Sequence, residues 1–477
     1  MTSPETNQPK KDLKESVEQQ ENPKNNLAIC EYPGNLLLTE DAEGIPAELL
    51  PLLQSEKVKS TIDMGKAAFV ESPLDIKGKK YQFIQAKGVG KNPINEAMPT
   101  KAEEAGLFFE QPLAGEPELM PLFVLEDGDH YMARFQGGAF YEDLLEEAEQ
   151  SKKIEALTDG QLRTPEILAT VKFSKDFCEA NNLPLPKNDD AGSSAGQTLE
   201  QYLEPFRTEI PDDLYEKITA APEFNKTEYS SVILGENIRA FRNVWRISEI
   251  ERIMADKSFE ETRQEQLQKI FQKSALILGQ EVGTTLDDRQ FLEKFTGLLA
   301  EQAALLVEKN IQHGGLEQHL QNITLAAEIC DFDQTYEVNE DYFANPGKQP
   351  SWMKELSAII NRETIPDAAE QAKILAAHPR SDEQQNLKDF WSGAKTKEQL
   401  TAEFMSDWKK QENYLLYKQI ADLGRHLKPL IEAGKMIGLE IGENEMEGIY
   451  LNAVKANLSP EKSEQVDSYL ELIKKRQ

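Results

Sequence analysis

Lys87 closes an apolar, β-prone run, YQFIQAK, and Gly88, Val89 and Gly90 follow at once. An ammonium at the end of a strand can neutralise phosphate oxygens, and glycines let backbone approach them closely. Far downstream, in HGGLEQHLQNITLAAEICDFDQ, Asn322 opens one β-prone run and Asp331 follows another, nine residues later. A hairpin there would converge an amide oxygen and a carboxylate. Hard oxygen ligands of this kind suit Mg2+, which completes its shell with phosphate and water. Between the two groups lies YEDLLEEAEQ, where Glu142, Glu146, Glu147 and Glu149 are all candidates to pair with Lys87. Phosphotransfer sites combine these parts: a strand lysine steadied by a helix glutamate, and an Asn with a downstream Asp holding the metal. Taken singly, each part is also what an ordinary glycine turn, hairpin or solvated acidic helix contains, so the weight rests on their order along the chain. In GENIRAFRNVWRI, Arg239, Arg242 and Arg246 recur at i, i+3 and i+7. On a helix they would share a face and could clamp a phosphate tail, or they could simply bridge acidic neighbours.

The elements that must position these residues follow from periodicity. KAAFVESPLDI and KKYQFIQAKGV, joined by a polar turn containing Gly78, predict a β-hairpin, and MPLFVLEDGDHYMARFQ predicts a second around Asp127-Gly128. Residues 139–157 predict an amphipathic helix with Phe140, Leu144, Leu145 and Ala148 on its apolar face, and RTPEILATVKF predicts a short strand after it. Helical spacing recurs over 198–220, 236–257, 259–278 and 286–310, and again through 350–477. The expected organisation is a disordered tail (1–26), a β-rich lobe with the Lys87 strand and acidic helix (27–182), a Pro/Gly/Ser connector (183–198), a helical lobe with the Asn322/Asp331 hairpin (199–349) and a helical C-terminal region (350–477). The fold class is α+β, and the order of parts is that of a protein-kinase-like two-lobe fold.

The residues around Lys87 allow a more specific comparison. Lys87-Gly88-Val89-Gly90-Lys91-Asn92-Pro93 resembles the Lys-Gly-x-Gly-x-x-Pro segment of the selenoprotein O (SelO) family, kinase-fold enzymes that adenylylate proteins. YEDLLEEA is similar to that family's glutamate-bearing helix segment, and His313-Gly314 with the Asn322-to-Asp331 step is similar to its metal-binding segment. The similarity covers roughly residues 60–335. It implies ATP and Mg2+ as cofactors, Lys87, Gly88 and Gly90 at the nucleotide, Glu147 as the partner of Lys87, and Asn322 and Asp331 as metal ligands. The family's arginine-rich phosphate contacts have no clean counterpart, and Arg239 or Arg242 is the candidate to clamp the phosphate tail. Three departures stand out: Gln321 occupies the place of the family's proposed base, the His-to-Asn spacing is two residues longer, and Asp333 replaces an expected glycine. Glu317, five residues before Asn322, and His319, three before, fall in the register that small-molecule kinases of the aminoglycoside-phosphotransferase type use, which makes Glu317 the candidate base. The implied reaction is transfer of AMP or phosphate from ATP to a hydroxyl of a protein or a small molecule; a catalytically silent scaffold is the alternative.

Composition narrows the field further. With 84 acidic against 53 basic side chains the formal charge is −31, which repels nucleic-acid backbones and anionic membranes. Three cysteines without a CxxC pair and five histidines without HExxH argue against a disulfide framework and a zinc hydrolase. Neither an apolar run of membrane-spanning length nor an N-terminal secretion signal is apparent, so a cytoplasmic location is expected.

Overall fold

The computed structural model describes residues 29–33, 36–37, 45–54, 57–61, 67–88, 122–127, 130–135, 139–174, 176, 178, 234–316, 320–332, 335–338, 359, 362, 365–377 and 381–476. The tail 1–26, the connector 183–198 and the helix expected over 198–220 lie outside them. The chain is a mixed α+β protein that divides into two compact units. One comprises residues 1–296, 319–333 and 426–446, the other 297–318, 334–425 and 447–477.

The first unit contains a seven-stranded antiparallel sheet. Strands β1 (Ile29–Pro33), β2 (Lys57–Thr61), β3 (Ala67–Ile76) and β4 (Lys79–Lys87) run side by side, and β9 (Leu234–Phe241) pairs with β4. A separate two-stranded ribbon joins β5 (Leu122–Asp127) to β6 (His130–Phe135), as the second hairpin predicts. The short β7 (Ala139–Phe140) and the longer β8 (Glu166–Lys172) both oppose Gly235 of β9, so they flank it on opposite edges and β7 continues the edge that β4 occupies.

The β3–β4 hairpin turns as the sequence predicts. Lys77 and Gly78 both have positive φ (54° and 79°), the two-residue turn that suits strand twist, and the Gly78 amide donates to Asp75 Oδ1 at 3.0 Å. The pairing slips between Glu71 and Leu74, where Pro73 has no N–H to offer the ladder. One sheet face buries Ala68, Ile84, Ala86, Val171 and Ile238 against Leu49 and Leu53, around helix α1 (Leu50–Leu53).

Helix α2 (Tyr141–Leu157) follows β7 and buries Leu144, Glu147, Ala148, Ser151 and Ile154. That stripe follows the i, i+3, i+4, i+7 rule but is rotated from the expected one: Leu145 is 37% exposed, and Phe140 belongs to β7. The helix ends where Asp159 and Gly160 turn left-handed and the Gly160 amide donates to the Glu155 carbonyl at 2.8 Å. The expected helix over 236–257 is corrected. Leu234–Phe241 is a fully buried central strand, and only α3 (Ile247–Ala255) is helical. Helix α4 (Arg263–Val282) completes the helices described before residue 288.

Helix α5 (Asp288–Glu308) begins in the first unit and ends in the second. In the second unit β10 (Ile311–His313) pairs with β11 (Thr335–Glu337), and Gln419 receives a hydrogen bond from the His313 amide and donates to the Ile311 carbonyl. Helices α6 (Ala368–Ala377), α7 (Ser381–Trp391), α8 (Lys397–Arg425) and α11 (Pro460–Arg476) belong to it. Tyr417 of α8 stacks on Tyr469 of α11 with ring centroids 4.4 Å apart. Helix α9 (Leu427–Met436) returns to the first unit, and α10 (Glu443–Ala456) lies mostly in the second. Among the described residues no helix is long and apolar enough to cross a membrane.

Candidate functional site

Strand periodicity builds a polar row on the sheet face opposite the apolar cluster. Successive side chains alternate faces, so Phe83, Gln85 and Lys87 of β4 point one way, and in register with them stand Phe241, Arg239 and Asn237 of β9. Glu147 of α2 meets this row. Its Oε2 accepts from Lys87 Nζ and from Asn237 Nδ2, both at 3.2 Å, and its Oε1 accepts from Arg239 Nη1 at 2.8 Å. Arg239 Nη2 donates to Gln85 Oε1 at 2.6 Å, and Thr170 of β8 donates to Asn237 Oδ1 at 2.7 Å. Of the four candidate glutamates, Glu147 is the one that faces Lys87, because it is the one on the buried stripe.

Asp331 reaches the same ammonium from the far end of the chain: Lys87 Nζ lies 3.3 Å from its Oδ1, and Arg239 Nη1 lies 3.9 Å away. Asp331 leaves a tight loop formed by residues 320–331. A 3-10 turn (Leu320–Asn322) leads into it, Thr324 and Glu328 pair through their backbones, and the Cys330 amide donates to the Asn322 carbonyl at 2.9 Å. Asn322 and Asp331 therefore sit at the two open ends of one hairpin, as their spacing predicts.

A buried carboxylate fixes that hairpin. Glu328, fully buried, accepts from the backbone amides of Arg242 and Asn243, from the Thr324 hydroxyl, and from Arg242 Nη1 at 3.1 Å. Arg163 donates to the Ala326 carbonyl and grips Glu281 with two bonds of 2.7 Å. Arg242 thus belongs to the support of the hairpin, paired with Glu328 and Glu281, and shares no helix face with Arg239 and Arg246. The expected three-arginine clamp is corrected: Arg239 lies on a strand under Glu147, and Arg246 is the residue before α3.

The charges reinforce one another. Burial raises the cost of ionising Asp331, but Lys87, Arg246 and Arg239 outweigh it and hold the carboxyl well below its ordinary range. Glu147 is likewise depressed, burial being overcome by Lys87 and Arg239. Burial works against the Lys87 ammonium, yet Asp331 and Glu147 raise its pKa above the usual value. Next to Asp331, burial pushes the Cys330 thiol up to about 12, so it is inert as a nucleophile.

The inner side of the cluster is closed. The space bordered by Glu147, Ser151, Arg239, Cys330 and Asp331 amounts to about 10 Å³, room for about one water. A larger hollow of about 680 Å³ runs along Gln272–Asp288 and shares no residue with the cluster. Lys87 and Asp331 are not sealed in: their side chains are 35% and 26% exposed.

Among the described residues no group of three His, Cys, Asp or Glu side chains could hold a metal. Asn322 and Asp331, at the two ends of the hairpin, carry an amide oxygen and a carboxylate, donors of the hard oxygen type that Mg2+ accepts. Gly88 has a sufficient structural reason for being glycine: its φ is 105°, and a Cβ there would lie 2.7 Å from the Gly235 carbonyl oxygen. Gly90, Glu317, His319 and Asp333 lie outside the described residues. The functional residues missed by sequence reasoning are Asn237, Gln85 and Glu328. The first two were visible as polar positions alternating with apolar ones in strands, whereas nothing local marks Glu328. No protein-family model matches the chain, and no curated protein matches it as a relative.

Proposed function

We propose that the chain is a kinase-fold transferase of SelO-like type that uses ATP and Mg2+ to move AMP or phosphate onto a hydroxyl. The carrying observation is that Lys87 lies between Glu147 and Asp331, residues 60 and 244 positions away. A buried glutamate on a helix, a lysine on the adjoining strand and an aspartate after a hairpin are the parts phosphoryl transfer requires. An antiparallel sheet in which the Lys87 strand lies beside β9, with α2 against them, also supports a kinase-like small lobe.

In this reading Lys87 binds phosphate oxygens, Glu147 orients it, and Asn322 with Asp331 holds Mg2+. The metal supplies charge neutralisation along the phosphate chain. The base is Glu317, and because transfer leans chiefly on positioning and electrostatics, a weak base slows the reaction rather than abolishing it. The acceptor is a protein or small-molecule hydroxyl.

Incubating the full chain with Mg2+ and ATP labelled separately at the α- and γ-phosphates tests this. Label from the α position marks adenylylation, and label from γ marks a kinase of the aminoglycoside-phosphotransferase type. Absence of both, together with no ATP-dependent rise in melting temperature, overturns the reading in favour of a silent scaffold. Lys87→Met and Asp331→Asn should abolish whichever transfer is seen.

A further inference from the structure

We propose that Arg239 is the fixed positioning residue of this site: it holds Glu147, and with it helix α2, against the sheet without help from Lys87. The two cations divide the Glu147 carboxylate between them. Oε1 accepts from Arg239 at 2.8 Å, whereas Oε2 accepts from Lys87 and also from Asn237. If Lys87 departs, each oxygen still has a donor.

The two cations also differ in what can replace them. The Arg239 side chain is 2% exposed and that of Glu147 is 6%, so removing Arg239 leaves Glu147 Oε1 without its donor where water cannot readily replace it. Lys87 is 35% exposed, and water can take its place. Arg239 is itself immobilised, by Gln85 on the neighbouring strand and by Phe241, whose ring centre lies 5.2 Å from its guanidinium carbon. A guanidinium offers several donors in one plane, which lets it serve Glu147 and Gln85 together.

The consequence deepens the transferase reading and, in this last step, rests on it. With Glu147 and α2 anchored by Arg239, Lys87 is free to give up Asp331 for a ligand's phosphate without the helix moving. Arg239 acts through Glu147 and does not touch the ligand.

Hydrogen exchange of the full-length protein, without nucleotide, tests the anchor. Lys87→Met should leave amide protection across residues 141–157 within about twofold of the parent, while Arg239→Met lowers it by about tenfold or more, beyond any change in α4. Arg239→Lys should restore part of it. Should Arg239→Met not fold, Arg239→Lys is compared with and without Glu147→Gln: the arginine change should matter only while the carboxylate is present. Equal opening of α2 by Lys87→Met, or unchanged protection in Arg239→Met, overturns the proposal. Since no nucleotide is used, a protein that shows the expected exchange pattern but no ATP–Mg2+ stabilisation keeps the anchor and loses the transferase reading.

Discussion

Asp331 carries positive φ (58°), as do Lys77, Asp159, Asn310 and Ala327. Lys77 and Asp159 sit in a hairpin turn and at a helix end, and Asn310 and Ala327 just past a helix and at a loop tip. Asp331 stands apart, because its backbone geometry accompanies a side chain placed on Lys87. Left-handed backbone disfavours most L residues, and Asp tolerates it better than most. Its charge also defines a pH window. Asp331 and Glu147 have folded pKa values below their ordinary 3.8 and 4.5, so their stabilisation is complete above those values and is lost as pH falls through the depressed ones. Lys87 is raised above 10.5, so its share is complete below that value and is lost as pH rises through the raised one. The cluster therefore contributes fully from about pH 5 to about pH 10. Asp331→Asn should flatten part of the acid limb in melting curves between about pH 2 and 6. The same variant should lose the Mg2+-dependent part of any ATP stabilisation while keeping the metal-independent part. An unchanged Mg2+ response would remove Asp331 from the metal site.

At the scale of elements, legibility in the sequence follows how local the determining interaction is. The β3–β4 hairpin is readable because alternation and a Gly-containing turn lie within one short stretch. Helix α2 is readable in extent but not in facing, since its buried stripe includes Glu147, a charge whose partners are 60 and 92 residues away. Strand β9 is misread for the same reason: arginines at helical spacing pair with Glu147 and Glu328 from distant elements, and the burial that makes this a central strand is a property of the sheet. Glu328 is the extreme case, one acidic residue in an apolar loop whose five acceptor contacts all come from side chains and amides folded around it. The hairpin that carries Asn322 and Asp331 depends on it. Glu328→Ala leaves Arg242 and two buried amides without their acceptor and should cost about 3–5 kcal/mol in urea unfolding at neutral pH. Glu328→Gln keeps an acceptor oxygen and should cost less. A loss under 1 kcal/mol for the alanine variant would show that the loop holds its shape by packing alone.

For the molecule as a whole, the formal charge of −31 sets the field in which the site must work. Residues 96–150 hold 14 acidic and 2 basic side chains, and α2, with Glu147, is part of that stretch. The cluster itself has a different balance: Lys87, Arg239 and Arg246 act on Glu147 and Asp331, three cations to two anions. On the proposed reading, a nucleotide would be attracted at contact and repelled on approach. These forces respond differently to salt. The repulsion acts over distances beyond the Debye length of about 10 Å at 0.1 M and is screened, while contacts to partly buried cations are screened much less. Raising NaCl from about 20 to about 200 mM should therefore strengthen binding of metal-free ATP, or leave it level, where a site on a basic surface would lose affinity. Binding of ATP with Mg2+, which carries less charge, should change less, so the advantage of the metal complex should narrow as salt rises. Titration of a fluorescent ATP analogue at the two salt concentrations, with and without Mg2+, measures both trends. A steep salt-induced loss of affinity would mean that long-range attraction dominates and that the ligand meets a basic surface contributed by other parts of the chain.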